Sequence, residues 1–203
     1  MTHNEGALLA VFLGNPGAEY SGTRHNAGRL LAAEMGGALK WQKKFSGLYA
    51  PFFVKTESGE KKSHFLMPET FMNNSGISAA AAASFFNIPA SGIIVVHDEL
   101  EFSTGEAAFK YGGGLGGHNG LRSIKERLGT ADFWRLRLGI GRPGGVKEKG
   151  QDISGWVLSA FSKSDRARFN ETLVLCAAAL ETALKNGPGN LPAEWAKKFS
   201  IGR

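Results

Sequence analysis

The sequence predicts an α/β fold, a single-domain three-layer sandwich in which helices flank a mixed, mostly parallel sheet. Three observations carry that prediction. Apolar runs at residues 7–13 and 93–96 are short and continuous, which marks strands buried on both faces. Apolar residues at three- and four-residue spacing fall between the strands, the pattern of helices laid on a sheet. No repeat and no linker divides the chain into two cores, and 203 residues suit one domain, with a core at about 8–185 and a tail at 186–203.

In chain order, the first strand breaks at the turn-rich stretch Gly14 to Gly22, with Asn15-Pro16-Gly17 at its head and Thr23-Arg24-His25-Asn26 at its end. Asn15 and His25 therefore stand on a loop held by a strand and a helix, where α/β folds mount chemistry. Leu31, Met35 and Leu39 recur every four residues, so 26–36 is expected as a helix stopped by Gly36-Gly37. Strands at 46–55 and 63–67 enclose the turn Glu57-Ser58-Gly59-Glu60. The polar loop Pro68 to Gly76 feeds a helix in which Ile77, Ala81 and Phe85 share a face and alanines permit close packing. Asn73 or Asn74 there also suits a helix cap.

The strand at 93–96 ends in His97-Asp98-Glu99, acids placed at the carboxyl end of a buried strand. After a strand at 106–111, the glycine loop Gly112 to Gly117 leads through His118-Asn119 into a helix with Leu121, Ile124 and Leu128 inward. Residues 133–141 alternate, Leu136, Leu138 and Ile140 on one face and Arg135 and Arg137 on the other. The two arginines start about 7 Å apart, two strand rises, a spacing that suits neighbouring phosphates. Residues 143–152 form a Pro/Gly/Lys loop of mobile composition. Ser162 and Asp165 then open a long helix with Phe169, Leu173, Cys176, Leu180 and Leu184 on one face, and the tail from Asn186 is expected to dock loosely.

Composition narrows the function. With 42% hydrophobic and 21% charged residues the chain is globular, and no apolar run nears the roughly 20 residues of a membrane span. Residues 1–6 lack a signal-peptide pattern, so a soluble cytoplasmic protein is expected. The net charge of +6 favours an acidic partner such as nucleic acid. Cys176, the single cysteine, falls among apolar residues at helical spacing and is expected in the core rather than as a nucleophile.

Other reaction classes fit poorly. Gly112, Gly114 and Gly117 satisfy a dinucleotide-binding pattern, but so do Gly139, Gly141 and Gly144, and no acid follows at the required distance of about 20 residues. The glycine loop is better suited to close backbone approach, with N–H groups free at the helix start for an anion or polar group. No G-x-S-x-G elbow exists, and although His25, Asp98 and His118 are possible ligands, no metal-binding spacing joins them. One histidine, one acid and several asparagines on separate loops remain, a set sufficient for general-base hydrolysis without cofactor.

Leu13 to Gly17 with Tyr20 and Thr23 to Asn26, Pro68 to Gly76, Val96 to Leu100, Gly112 to Leu121 and Phe133 to Gly144 together resemble the bacterial peptidyl-tRNA hydrolase family. The resemblance implies hydrolysis of the ester between a peptide and tRNA, which frees stalled tRNA, by a cytoplasmic monomer that needs no cofactor. It implies catalytic roles for His25 as general base, Asp98 as the acid orienting it, and Asn15. Asn73 would join Asn15 in holding the substrate, Asn119 would place water or a carbonyl, and Tyr20, Met72 and His118 would line the site. Lys110 and Arg137 would clamp the tRNA 5′-phosphate beside the acceptor stem. Phe71 departs from the family, where tyrosine is common. A non-catalytic RNA-binding protein on the same scaffold is the alternative, and a dinucleotide-dependent oxidoreductase built on Gly112 to Gly117 is a third reading.

Overall fold

The structure is a computed structural model that describes residues 6–36, 39–57, 59–144 and 152–200. Its strands are β1 (Leu9–Phe12), β2 (Gln42–Lys44), β3 (Gly47–Thr56), β4 (Gly59–Pro68), β5 (Ile93–Glu99), β6 (Glu106–Tyr111), β7 (Trp134–Gly139) and β8 (Phe199–Ser200). Its helices are α1 (Ala27–Met35), α2 (Ser75–Phe85), α3 (Asn119–Leu128), α4 (Ile153–Leu158), α5 (Lys163–Asn186) and α6 (Ala193–Ala196), with short 3-10 turns at Ala18–Tyr20, Arg24–Asn26, Met72–Asn74 and Ala90–Gly92. Most of the loop expected at 143–152, together with Gly37 and Ser58 of two expected turns, lies outside the described residues.

The strands form one sheet in the order β2-β3-β4-β1-β5-β7-β6-β8. The sheet is mixed, but parallel pairing is confined to its centre, β4-β1-β5-β7. The flanking pairs β2-β3, β3-β4, β6-β7 and β6-β8 are antiparallel, so "mostly parallel" describes the middle and not the whole. A tight connection explains the β2-β3 pair. Phe45 and Ser46 both take positive φ in a two-residue turn, and a turn that short can join only antiparallel strands.

Side chains alternate between the two faces of the sheet and build one core on each. Ala10, Phe12, Ile94, Val96, Leu136 and Leu138 meet α1 and the expected apolar face of α5, which includes buried Cys176. Leu9, Val11, Leu66, Ile93 and Val95 meet α2 and α3 on the opposite side. Each fully buried Phe or Leu in these layers contributes roughly 1.5–3 kcal/mol.

Two expectations change. Ile77, Ala81 and Phe85 do share a face of α2, but that face points outward, and Ser78, Ala79, Ala82 and Ala83 are the buried ones. A side chain at Gly76 would come within 2.1 Å of the Ser123 carbonyl of α3, so only the small residues can meet that helix. The tail is docked rather than loose, since β8 pairs with β6 and the Trp195 and Phe199 rings pack edge to face at 4.9 Å.

Candidate active site

The site lies where the parallel strands end. Asn15 follows β1, Met72 and Asn73 follow β4, His97-Asp98-Glu99 close β5, and Arg142 follows β7. These residues line a cavity of about 830 Å³ together with His25, His118 and Asn119. That placement, at the carboxyl ends of parallel strands, is where an α/β sheet opens a crevice. Gly28 makes the approach possible, because a Cβ there would sit 2.6 Å from backbone atoms of Leu13 and Val96. The start of α1 rests directly on β1 and β5, bringing His25 over Asp98.

Asp98 is buried and its Oδ1 accepts two hydrogen bonds, from His25 Nδ1 and His118 Nε2, each 2.9 Å long. The hydrogens can be assigned by what else the rings touch. His118 Nδ1 accepts from the backbone N–H groups of Gly120 and Leu121 at the start of α3, so Nε2 carries its hydrogen and donates to Asp98. Donation from His25 Nδ1 leaves His25 Nε2 with a lone pair facing the cavity, the form a general base needs. Burial resists the charge on Asp98, but the two imidazoles outweigh it and hold its carboxyl well below the usual range. Burial pulls the His25 pKa down, while the Asp98 charge and hydrogen bond prevail and leave it above the ordinary 6.5.

The helix-start N–H groups expected to face a substrate are thus taken by His118's own ring. The same contact bears on metal binding. His25, Asp98 and His118 do converge, with one possible ligand atom from each within 4.8 Å of the others. A metal-bound histidine donates its second ring hydrogen, whereas His118 Nδ1 accepts two, so coordination through Nε2 would require an imidazolate. The trio fits hydrogen bonding and does not fit a metal.

Asn15 is fixed from three directions. Its Oδ1 accepts from the Met72 N–H at 2.8 Å, its own N–H donates to Asn26 Oδ1 at 2.8 Å, and its carbonyl accepts from Asn26 Nδ2 at 2.9 Å. With the oxygen so engaged, the Asn15 NH₂ is the group left to face the cavity. Asn73 and Asn119 are exposed on its rim, and Asn119 accepts from Arg122. Neither Asn73 nor Asn74 caps α2 with its side chain. Tyr20 ends a 3-10 turn and is not among the residues lining the cavity.

The basic edge divides differently from expectation. Arg135 is 3% exposed and donates to the carbonyls of Gly112 and Gly114, so it braces the glycine loop instead of presenting a charge for phosphate. Four glycines there, Gly112, Gly113, Gly116 and Gly117, take positive φ. Arg137 donates from Nε to Glu99 Oε2 at 2.7 Å and lies over the Phe102 ring at 4.2 Å. Lys110 is exposed and pairs across the ladder with Arg135, which sets it diagonal to Arg137 on the same face.

Sequence reasoning missed several contributors. Asn26 was visible only as part of a motif, although its amide holds the Asn15 backbone. His97 Nδ1 donates to the Asp98 carbonyl at 2.7 Å, and burial, with the charges of His118 and Arg135 also opposing protonation, keeps its pKa well below 6.5. Ile153, Val157 and Leu158 of α4 form an apolar wall, and six residues beside a Gly-rich stretch gave no periodic signal.

A family model described as "Peptidyl-tRNA hydrolase" matches residues 9–200. The peptidyl-tRNA hydrolase of Treponema pallidum is 50% identical over 166 residues, 81% of this chain and 80% of that protein. That of Mycobacteroides abscessus is 43% identical over 184 residues, 89% and 88% of the two chains. The crystal structure of the Acinetobacter baumannii peptidyl-tRNA hydrolase covers 93% of each chain with a TM-score of 0.79 and 34% identity. Fold and sequence agree over nearly the whole length, and the chain belongs to the peptidyl-tRNA hydrolase family.

Proposed function

We propose that this chain hydrolyses the ester joining a peptide to the 3′ ribose of tRNA, with His25 as general base. The carrying observation is the His25 Nδ1–Asp98 Oδ1 hydrogen bond, which leaves Nε2 unprotonated toward the cavity. Water gives its proton to His25 Nε2 as its oxygen attacks the ester carbonyl. Collapse of the tetrahedral intermediate expels the ribose oxygen, which takes that proton from the imidazolium, leaving free tRNA and a peptide carboxylic acid that then loses its own proton to solvent. A positioned base contributes roughly 10²- to 10⁴-fold, and the Asn15 NH₂, aimed at the developing oxyanion, adds about 3 kcal/mol.

Asn73 and Asn119 hold the acylated nucleotide and peptide backbone at the rim, with Met72 against them. Lys110 and Arg137 meet phosphate of the acceptor stem, a contact that positions the tRNA without reading its sequence. The enzyme acts as a single-domain cytoplasmic monomer and needs no cofactor. Purified protein incubated with peptidyl-tRNA should release peptide equally with and without EDTA. Loss of release on chelation, restored by zinc, contradicts the metal-free mechanism, while tRNA binding with no release at all favours a non-catalytic RNA-binding protein.

A further inference from the structure

Arg24, beside the proposed base, is a buried residue whose two terminal guanidinium nitrogens are bonded to groups outside the cavity lining. Nη1 donates to Ser159 Oγ at 2.8 Å and to the Ala160 carbonyl, and Nη2 pairs with Asp165 at 3.3 Å. The guanidinium carbon lies 3.8 Å from the Trp156 ring centre and 5.0 Å from that of Phe161. The backbone repeats the connection, Arg24 N–H donating to the Ser159 carbonyl at 3.0 Å and Thr23 bridging Ala160. One residue of the His25 turn is therefore bound to the end of α4, to the start of α5, to the Trp156 ring of α4 and to the Phe161 ring between the two helices.

Helix α4 needs such an anchor. It has six residues and none is fully buried, and only Trp156 and Val157 pack against the edge of the core, so length and burial hold it weakly. Trp156, under the guanidinium, donates its indole N–H to the Gly141 carbonyl at 2.8 Å, next to Arg142 on the cavity rim. Ile153, Val157 and Leu158 of the same helix form the apolar wall. By contrast, the His25 bond to Asp98 and the Asn26 bonds to Asn15 do not involve the Arg24 side chain.

We infer that Arg24 is a positioning residue that latches α4 onto the His25 turn and so sets the apolar wall against which the substrate's peptide lies. The kinetic consequence rests on the hydrolase reading above, whereas the structural consequence does not. Loss of the latch loosens the wall and leaves the base in place, so peptide binding suffers before chemistry.

Hydrogen exchange and kinetics of Arg24→Lys test this, since lysine keeps the charge but loses the planar fork and the ring stacking. Amides of 153–160 should exchange on the order of 10-fold faster while those of α2 are unchanged, the size of a lost cation–π and charge-assisted contact. KM for tRNA carrying a multi-residue apolar peptide should rise by a similar factor, KM for N-acetyl-aminoacyl-tRNA less, and kcat should change little. Trp156→Leu removes the ring from the other side and should reproduce the pattern if Arg24→Lys does not fold. Faster exchange throughout the protein, unchanged exchange in 153–160, or a kcat loss at constant KM overturns the proposal. If wild-type protein releases no peptide, the hydrolase reading fails while the exchange comparison still decides the latch.

Discussion

The two polar regions of the site are built on opposite terms. At the His25–Asp98–His118 corner every ring nitrogen facing the carboxylate is bonded, and the Asp98 side chain is 3% exposed. At the basic edge Lys110 is exposed and Arg137 shares its charge with Glu99. Fixed, desolvated groups suit proton transfer, where a small displacement costs rate. Open cations suit phosphate, which tolerates displacement and is attracted from a distance through water. Arg135 shows that sequence position does not decide membership, for it alternates with Arg137 on β7 yet is bonded into the buried region.

The largest expected effect breaks the corner. His25→Ala should lower kcat by roughly 10²-fold or more while tRNA binding stays near wild type, measured by single-turnover release and by equilibrium binding. Adding Asp98→Asn to it should cost little further, because the carboxylate acts through the imidazole. Full additivity in that cycle means that Asp98 contacts the substrate independently.

Arg135→Met comes next and sharpens the boundary between the regions. It leaves the Gly112 and Gly114 carbonyls without their donor, so denaturation should show a loss of about 1–3 kcal/mol. The salt dependence of KM should stay as in wild type. A flattened salt slope with full stability places Arg135 on the RNA instead.

The smallest change is expected at the open edge. Lys110→Ala should raise KM for full-length substrate and reduce the salt slope by about one, while a short acylated nucleotide lacking the 5′-phosphate is indifferent. Arg137→Ala mixes two effects because it also strips Glu99 of its partner. Arg137→Lys, which keeps the charge but cannot reproduce the Nε bond, separates them by its KM on the two substrates.

Much of this was legible in the chain. The buried strands and the α5 face with its Ser162 cap follow from apolar runs and helical period, and loops at strand ends hold His25 and Asp98, whose pairing the family resemblance implied. The short elements β2, α4 and β8 did not show, since two to six residues complete no period and are held by tertiary contacts alone. The orientation of α2 was hidden because backbone proximity at Gly76 selects small residues for the interface and turns the large ones outward. The role of His118 required three dimensions, since its ring reaches Asp98 on one side and its own helix start on the other.

Dependence on pH probes the central pair most directly. Because the His25 pKa is raised, the imidazolium–Asp98 pair stabilises the fold below pH 6.5, and that contribution is lost as pH rises through the raised value. Activity requires the neutral ring and so grows over the same range. The profile of kcat/KM against pH should therefore rise with a midpoint above 6.5 in wild type. In Asp98→Asn the opposing charge is gone and burial alone remains, so the midpoint should fall below 6.5 as the plateau drops. Coincident midpoints in the two proteins, or a wild-type profile with no basic limb, contradict His25 as a base held by Asp98.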